Sequence, residues 1–236
     1  MFILAIECSA GPVSAAVTED GALRAGAFSN VKVTHSETLM PLIDNLLGSA
    51  RIGIGDIDCF AVANGPGSFT GVRIGIAAVK GMAAAKDTPC CGVSTLLSMA
   101  YRFTTESAVV CPVMDARRSQ LYNALFLVDG GAVTRICADR AISCEELAAQ
   151  LAATDKKIIV CGDGAAVFAP FVKDNGRVVF AAGELALQNA AGVAAAAYEE
   201  AKRGNTVSPA ELLPVYLRLP QAERELKLKQ EKDLIV

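Results

Sequence analysis

At 236 residues the chain holds about one to two compact units with a sizeable core, so neither disulfides nor metals are needed to hold it together. Hydrophobic residues make up 53%, charged residues 20% and aromatics 6%, and mean hydropathy is +0.39, which excludes intrinsic disorder. A net charge of -3 and a pI of 5.3 exclude a polyanion-attracting field, so nucleic-acid contact would need a local patch.

A single histidine rules out a multi-histidine metal site within the chain. The eight cysteines form no CxxC pair and mostly sit in apolar runs, which reads as buried, reduced thiols in a cytosolic protein. The opening MFILAIE is broken by Glu7 and has no basic lead, so it is not expected to act as a signal peptide. No apolar stretch reaches the roughly 20 residues that span a bilayer. The expectation is a cytoplasmic protein.

In chain order, residues 2–8, 13–18 and 22–28 read as three strands joined by tight turns, the second of them Asp20-Gly21. Residues 36–47 have helical periodicity, with Pro41 tolerable only in or near the first turn. A strand at 57–63 and a helix at 69–86 follow. The same grammar returns as strands at 108–114, 121–128 and 132–138, a helix at 144–152, a strand at 157–161 and further helical segments. Each half carries an acidic residue after its first strand, Glu7 and Asp115, and a glycine hairpin after its second. This order predicts an α/β fold of two similar subdomains, a duplicated strand-strand-strand-helix-strand-helix unit of the actin-like (ASKHA) kind. The expected division is 1–103, 104–205, and a return segment with a charged tail at 206–236. An Ala-rich helix at 183–203 should close the second half.

An actin-like kinase needs a DxG-type turn after the first strand of each half to hold phosphates and magnesium. Here those turns read Glu7-Cys8-Ser9-Ala10-Gly11 and Asp115-Ala116-Arg117-Arg118, which argues against phosphate transfer. The segment Asn64-Gly65-Pro66-Gly67-Ser68-Phe69-Thr70-Gly71 is neither a P-loop, nor GxGxxG, nor a nucleophile elbow. Its glycines read as turn formers, Ser68 or Thr70 as a helix cap, and Gly71, Gly75 and Ala78 as a small face for another helix. His35 reads as a capping or packing residue rather than a catalytic base.

Leu39, Met40, Leu42, Ile43, Leu46 and Leu47 run nearly all round the first helix. In the second, Val72, Ile76, Val79 and Ala83 suit a sheet while Ile74, Ala77, Ala78, Gly81 and Met82 remain to be covered. A partner surface is the expected occupant of the second face of each. Leu39, Ile43, Leu46, Arg73, Ile74, Ala77, Ala78 and Met82 are the candidate partner-binding residues, and Arg117 and Arg118 candidates for a tRNA contact or an ion pair.

GPGSFTGVRIG, His35-Ser36-Glu37 with Leu39 and Pro41, Met114-Asp115-Ala116-Arg117-Arg118 with Tyr122, and Pro214-Val215-Tyr216-Leu217-Arg218 together resemble the TsaB (YeaZ-like) family, up to about Arg218. The resemblance implies a role in making threonylcarbamoyladenosine beside the anticodon of ANN-decoding tRNAs. It implies a heterodimer with the catalytic subunit TsaD through the two N-terminal helices, joined by the ATPase TsaE, with TsaC supplying the activated threonylcarbamoyl group. TsaD carries a metal-binding HxxxH motif, and Thr95 and Met99 stand at its two ligand positions here. Neither replaces imidazole. The expectation is a non-catalytic subunit with no cofactor and no metal, a homodimer when alone, and tRNA contact only indirect or weak. The readings from other classes are an actin-like small-molecule kinase, which would bind MgATP between the halves, and a metallopeptidase-like protein, which would hold metal.

Overall fold

The structure, a computed structural model, describes residues 1–31 and 33–218. Two five-stranded mixed sheets are built to the same plan. In the first, β1 (Phe2–Glu7) lies between β2 (Val13–Glu19) and β4 (Cys59–Gly65), with β3 (Ala22–Ser29) and β5 (Cys90–Ser94) at the edges. In the second, β6 (Ala108–Asp115) lies between β7 (Gln120–Asp129) and β9 (Ile158–Cys161), with β8 (Ala132–Ser143) and β10 (Val178–Phe180) outside. The first three strands of each sheet pair antiparallel and the last two join in parallel. The expected duplication is present, and each repeat adds a fifth strand, β5 or β10, that the sequence pattern did not reveal.

Central position explains the unbroken apolar runs of β1 and β6, since a strand covered on both faces has no polar side. Leu4 and Ile6 face the core under α1 (His35–Ala50) and α2 (Phe69–Ala83), while Ile3 and Ala5 face the core under α6 (Ala190–Lys202). In the second sheet, Val109, Cys111 and Val113 pack with α4 (Cys144–Ala152) and α5 (Ala165–Val172), and Val110 and Phe126 with α3 (Thr95–Ala100). The hairpins turn as their residues require. Asp20 and Gly21, and then Gly130 and Gly131, all take positive φ, the conformation of a tight type I′ turn. Ser143 and Glu146 form a reciprocal capping box that starts α4.

Three expectations are corrected. Pro41 is the seventh residue of α1, beyond the first turn, because Thr34 carbonyl accepts from Glu37 and Thr38 and starts the helix there. Pro41 and Glu37 are both exposed, so the Glu37 carbonyl that the missing N–H leaves free lies on the solvent side of the helix. The helix expected over 183–203 begins only at Ala190. Leu187 is extended, and the Asn189 side chain caps α6 by accepting from Ala191 N at 2.8 Å. Nor does α6 close the second half. It lies on the first sheet, where Ala190, Ala194 and Ala197 meet Ala5, Ala16, Ala61 and Ala63, small residues that let helix and sheet approach closely.

Conversely, α3 follows the first sheet in sequence but buries Leu96 and Met99 in the second half's core. The two helices cross where Gly192 of α6 packs on the Ser98 carbonyl, so the halves interlock. Residues 206–218 run back over the first half, with Val207 pairing to Cys90. The charged stretch after Leu219 lies outside the described residues. No helix among the described residues is long and apolar enough to cross a membrane.

A Cβ at Gly192 would collide with the Ser98 carbonyl oxygen, whereas one at Gly81 would enter open space. Gly192→Ala is therefore expected to cost about 1–3 kcal/mol in urea unfolding. Gly81→Ala, in an exposed helical position, is expected to stabilise by roughly 0.5–1 kcal/mol.

Candidate functional site

Two places invite a ligand or partner: the cleft between the halves and the outer side of α1 and α2. The cleft, about 460 Å³, opens at the carboxyl ends of β1 and β6 and is lined by Ser9, Gly67 and Ser68 from one half and Asp115, Ala116 and Asp163 from the other. Ends of parallel strands are where α/β folds seat ligands. The actin-like plan implies a nucleotide with magnesium here, and the residues present do not fit one.

Phosphates would need free backbone amides at a helix start. Two of those at the start of α2 are taken: Ser68 N donates to Ser9 carbonyl at 2.6 Å, and Gly71 N donates to Ser68 Oγ at 3.3 Å, making Ser68 the cap. Gly67 and Gly71 press against the Ser9 and Cys8 carbonyls so closely that any Cβ would collide. Gly75 sits over Val62 and Cys8. Gly71 and Gly75 are thus turned to the sheet, which corrects the expectation that they offer a small face to another helix; Ala78, the third residue of that expected face, is half-buried on the outer side. The glycines serve close packing of the turn, not a phosphate cradle. His35 stands at the start of α1 and its Nε2 donates to the Gly11 carbonyl at 3.2 Å, the packing role expected of it.

The cleft floor is acidic. Glu7 ends β1 fully buried, and Ser9 N donates to its Oε1 at 2.5 Å. Burial pushes its carboxyl up to about 7, against the hydrogen bonds from Ser9 and with a smaller push from Asp163. Asp163 is open to cleft water but walled by protein, and that partial desolvation also moves it up despite the bond from Gln188 Nε2 at 2.6 Å. Arg117 and Arg118 are both exposed in a turn whose residues 117 to 119 all have positive φ. Asp115 shapes the turn by accepting from Arg117 N at 2.7 Å, and its carboxylate lies 3.4 Å from the Arg117 guanidinium. Arg117 thus pairs with a carboxylate of its own turn.

On the outer side, the two helices differ. Leu39, Ile43 and Leu46, expected to face a partner, are 1%, 2% and 4% exposed and point into the first half's own core. The reason is that α1 packs across β2 and β3 and gathers these residues with Leu47 on one face, leaving Met40 as its exposed apolar side chain. Only α2 has a second apolar face. Val72, Ile76, Val79 and Ala83 are buried against the sheet as expected, while Arg73 and Ala77 are exposed and Ile74, Ala78 and Met82 half-buried. Between Met82, Met40, Ile52 and Ile54 lies a groove of about 790 Å³.

Sequence reasoning placed Arg73 on this face and missed what holds it. Tyr216 stacks on Phe69 with ring centroids 4.7 Å apart, Arg73 lies 3.7 Å above the Phe69 ring, and Arg73 Nε donates to Tyr216 Oη at 2.8 Å. The family-like run at 214–218 was the available signal. Its exposed Val215 and Tyr216, with Leu213 just before them, extend the apolar face of α2.

The doubled sheet order makes this a protein of actin-like fold. The family model for TsaD, described as tRNA N6-adenosine threonylcarbamoyltransferase, matches residues 29–224. TsaB of Escherichia coli strain K12, a tRNA threonylcarbamoyladenosine biosynthesis protein, is 30% identical over 98% of this chain and 100% of its own. TsaB of Bacillus subtilis strain 168 is 29% identical over 94% and 96%. A crystal structure from Pseudomonas aeruginosa, of an uncharacterized protein with similarity to peptidase YeaZ, superposes with a TM-score of 0.78 at 26% identity, covering 92% of this chain and 99% of that one. The chain belongs to the TsaB family.

The raised Glu7 carboxyl sets a pH dependence. The folded state prefers the protonated acid, so its stability is fully present below the ordinary carboxylate range and is lost as pH rises through about 7. Glu7→Gln keeps the acceptor for Ser9 N and removes the charge. It is expected to be roughly 3 kcal/mol more stable than the parent at pH 8 and little different at pH 4, read by urea unfolding at each pH.

Proposed function

We propose that this chain is a non-catalytic subunit in the synthesis of threonylcarbamoyladenosine in tRNA, docking the catalytic TsaD through the outer face of α2. The supporting observation is that face itself. Ile74, Ala77, Ala78 and Met82, flanked by Arg73 and the exposed Met40 of α1, form an apolar stripe that nothing in the described residues covers completely. Stripes of this kind mark partner surfaces. TsaE joins the assembled complex, and tRNA is contacted only indirectly or weakly. In the absence of TsaD the same face pairs with a second copy, since a self-complementary patch closes a two-fold dimer. The site of action is the cytoplasm.

Donor chemistry supports the non-catalytic role. Thr95 and Met99, the residues at the metal-ligand positions of TsaD by resemblance, are 0% and 2% exposed in the core of α3 and are not imidazoles. Against the kinase reading, the Ser68 and Gly71 amides at the start of α2 are already bonded, and Gly67 and Gly71 are taken up by close backbone packing.

The direct test is capture of this chain by its cognate TsaD. Ile74→Glu would bury a charge in the docked face and is expected to weaken binding by about 2 kcal/mol or more, roughly thirtyfold. Val179→Glu, on the exposed edge strand β10, is expected to bind normally. Equal capture of Ile74→Glu and the parent contradicts the docking face. Unchanged levels of the tRNA modification after depletion of the chain contradict the pathway role.

A further inference from the structure

Residues 214–218 join the two halves of the molecule beside the cleft. On the first half, Val215 N donates to the Asn64 carbonyl at 2.7 Å, and the Val215 carbonyl lies so close over Gly65 that no Cβ fits there. Tyr216 stacks on Phe69 and accepts from Arg73, both on α2. Two residues on, Arg218 reaches the second half, where its Nη1 donates to the Ala116 carbonyl at 2.7 Å and its guanidinium stands 5.9 Å from the Tyr122 ring centroid. Ala116 and Tyr122 line the cleft, as do Gly67 and Ser68 opposite. The halves are also tied where α3 and α6 cross at Ser98 and Gly192. A segment bonded to the first half and to a cleft-lining residue of the second, in a molecule whose halves interlock elsewhere, has the arrangement of a strap across a hinge.

We propose that residues 214–218 are a strap that couples the outer face of α2 to the cleft. Arg73 holds Tyr216, Tyr216 fixes the path of the chain, and that path delivers Arg218 to the Ala116 carbonyl. Displacing Tyr216 from Phe69 and Arg73 slackens the strap and frees the turn at 116–119, which carries Arg117 and Arg118. Ala116 N donates to Gln120 carbonyl at 2.9 Å, so loss of the Arg218 bond is felt through the turn. A partner seated on α2 would use this link only if the docking reading holds, but the link itself is a property of the chain alone.

Amide hydrogen exchange of the full chain without a partner therefore tests it. Arg218→Ala removes a charge-assisted bond and is expected to speed exchange in the peptide spanning 116–121 about tenfold. The decisive variants are Arg73→Ala and Tyr216→Ala, which alter only the α2 end and are expected to speed exchange in the same peptide severalfold. Tyr216→Phe keeps the stack, loses the acceptor for Arg73, and reads the link should Tyr216→Ala not fold. Acceleration confined to 64–73 in Arg73→Ala and Tyr216→Phe, with 116–121 unchanged, overturns the coupling. Failure of TsaD capture, by contrast, would leave these exchange rates as they are.

Discussion

The close approach of the 65–71 turn to the end of β1 governs both the cleft and the outer face of the first half. Gly67 and Gly71 have no side chain, so the turn closes until Ser68 N meets the Ser9 carbonyl and α2 rests on the Cys8 backbone. That single contact has three consequences. It fixes the rotation of α2, burying Val72, Ile76 and Val79 and turning Ile74, Ala77 and Ala78 outward. It ties up the Ser68 amide at the start of α2, one of those an anion would need. It also holds Ser9, whose N–H bonds the fully buried Glu7 carboxyl, a site where a carboxylate is costly and the protonated acid is favoured.

A fold that elsewhere seats a ligand between its halves is thereby given over to packing at that point. The outward face of α2 then becomes the most usable surface of the first half, continued by Tyr216 and its neighbours from the far end of the chain. The outward apolar face of α2 and the occupied Ser68 amide are two results of one close contact.

Much of the fold was legible because the strands obey local rules. The runs of β1 and β6, the Asp20-Gly21 turn and the repeated order of elements need no tertiary knowledge. The exchange of α3 and α6 between halves was not legible, since an Ala-rich or short apolar helix carries no mark of which sheet it covers. For the site, the inward stripe of α2 was readable from its spacing, while α1 misled. Leu39, Ile43 and Leu46 looked surplus only because the breadth of the surface formed by β2 and β3 is invisible in a one-dimensional pattern. The clamp of Arg73 by Tyr216 joins residues 143 apart in sequence, beyond any local signal. The raised Glu7 likewise depends on its complete burial in the folded chain, which no local pattern marks.

Methionine oxidation reads the docking face directly, because Met40 and Met82 border it while Met99 and Met114 are buried in the second half's core. With the chain dilute enough to be monomeric, peroxide should oxidise Met40 and Met82 readily, and saturating TsaD should slow both severalfold. Met40 and Met82 oxidising at the same rate in the complex as in the free chain would contradict docking through α2.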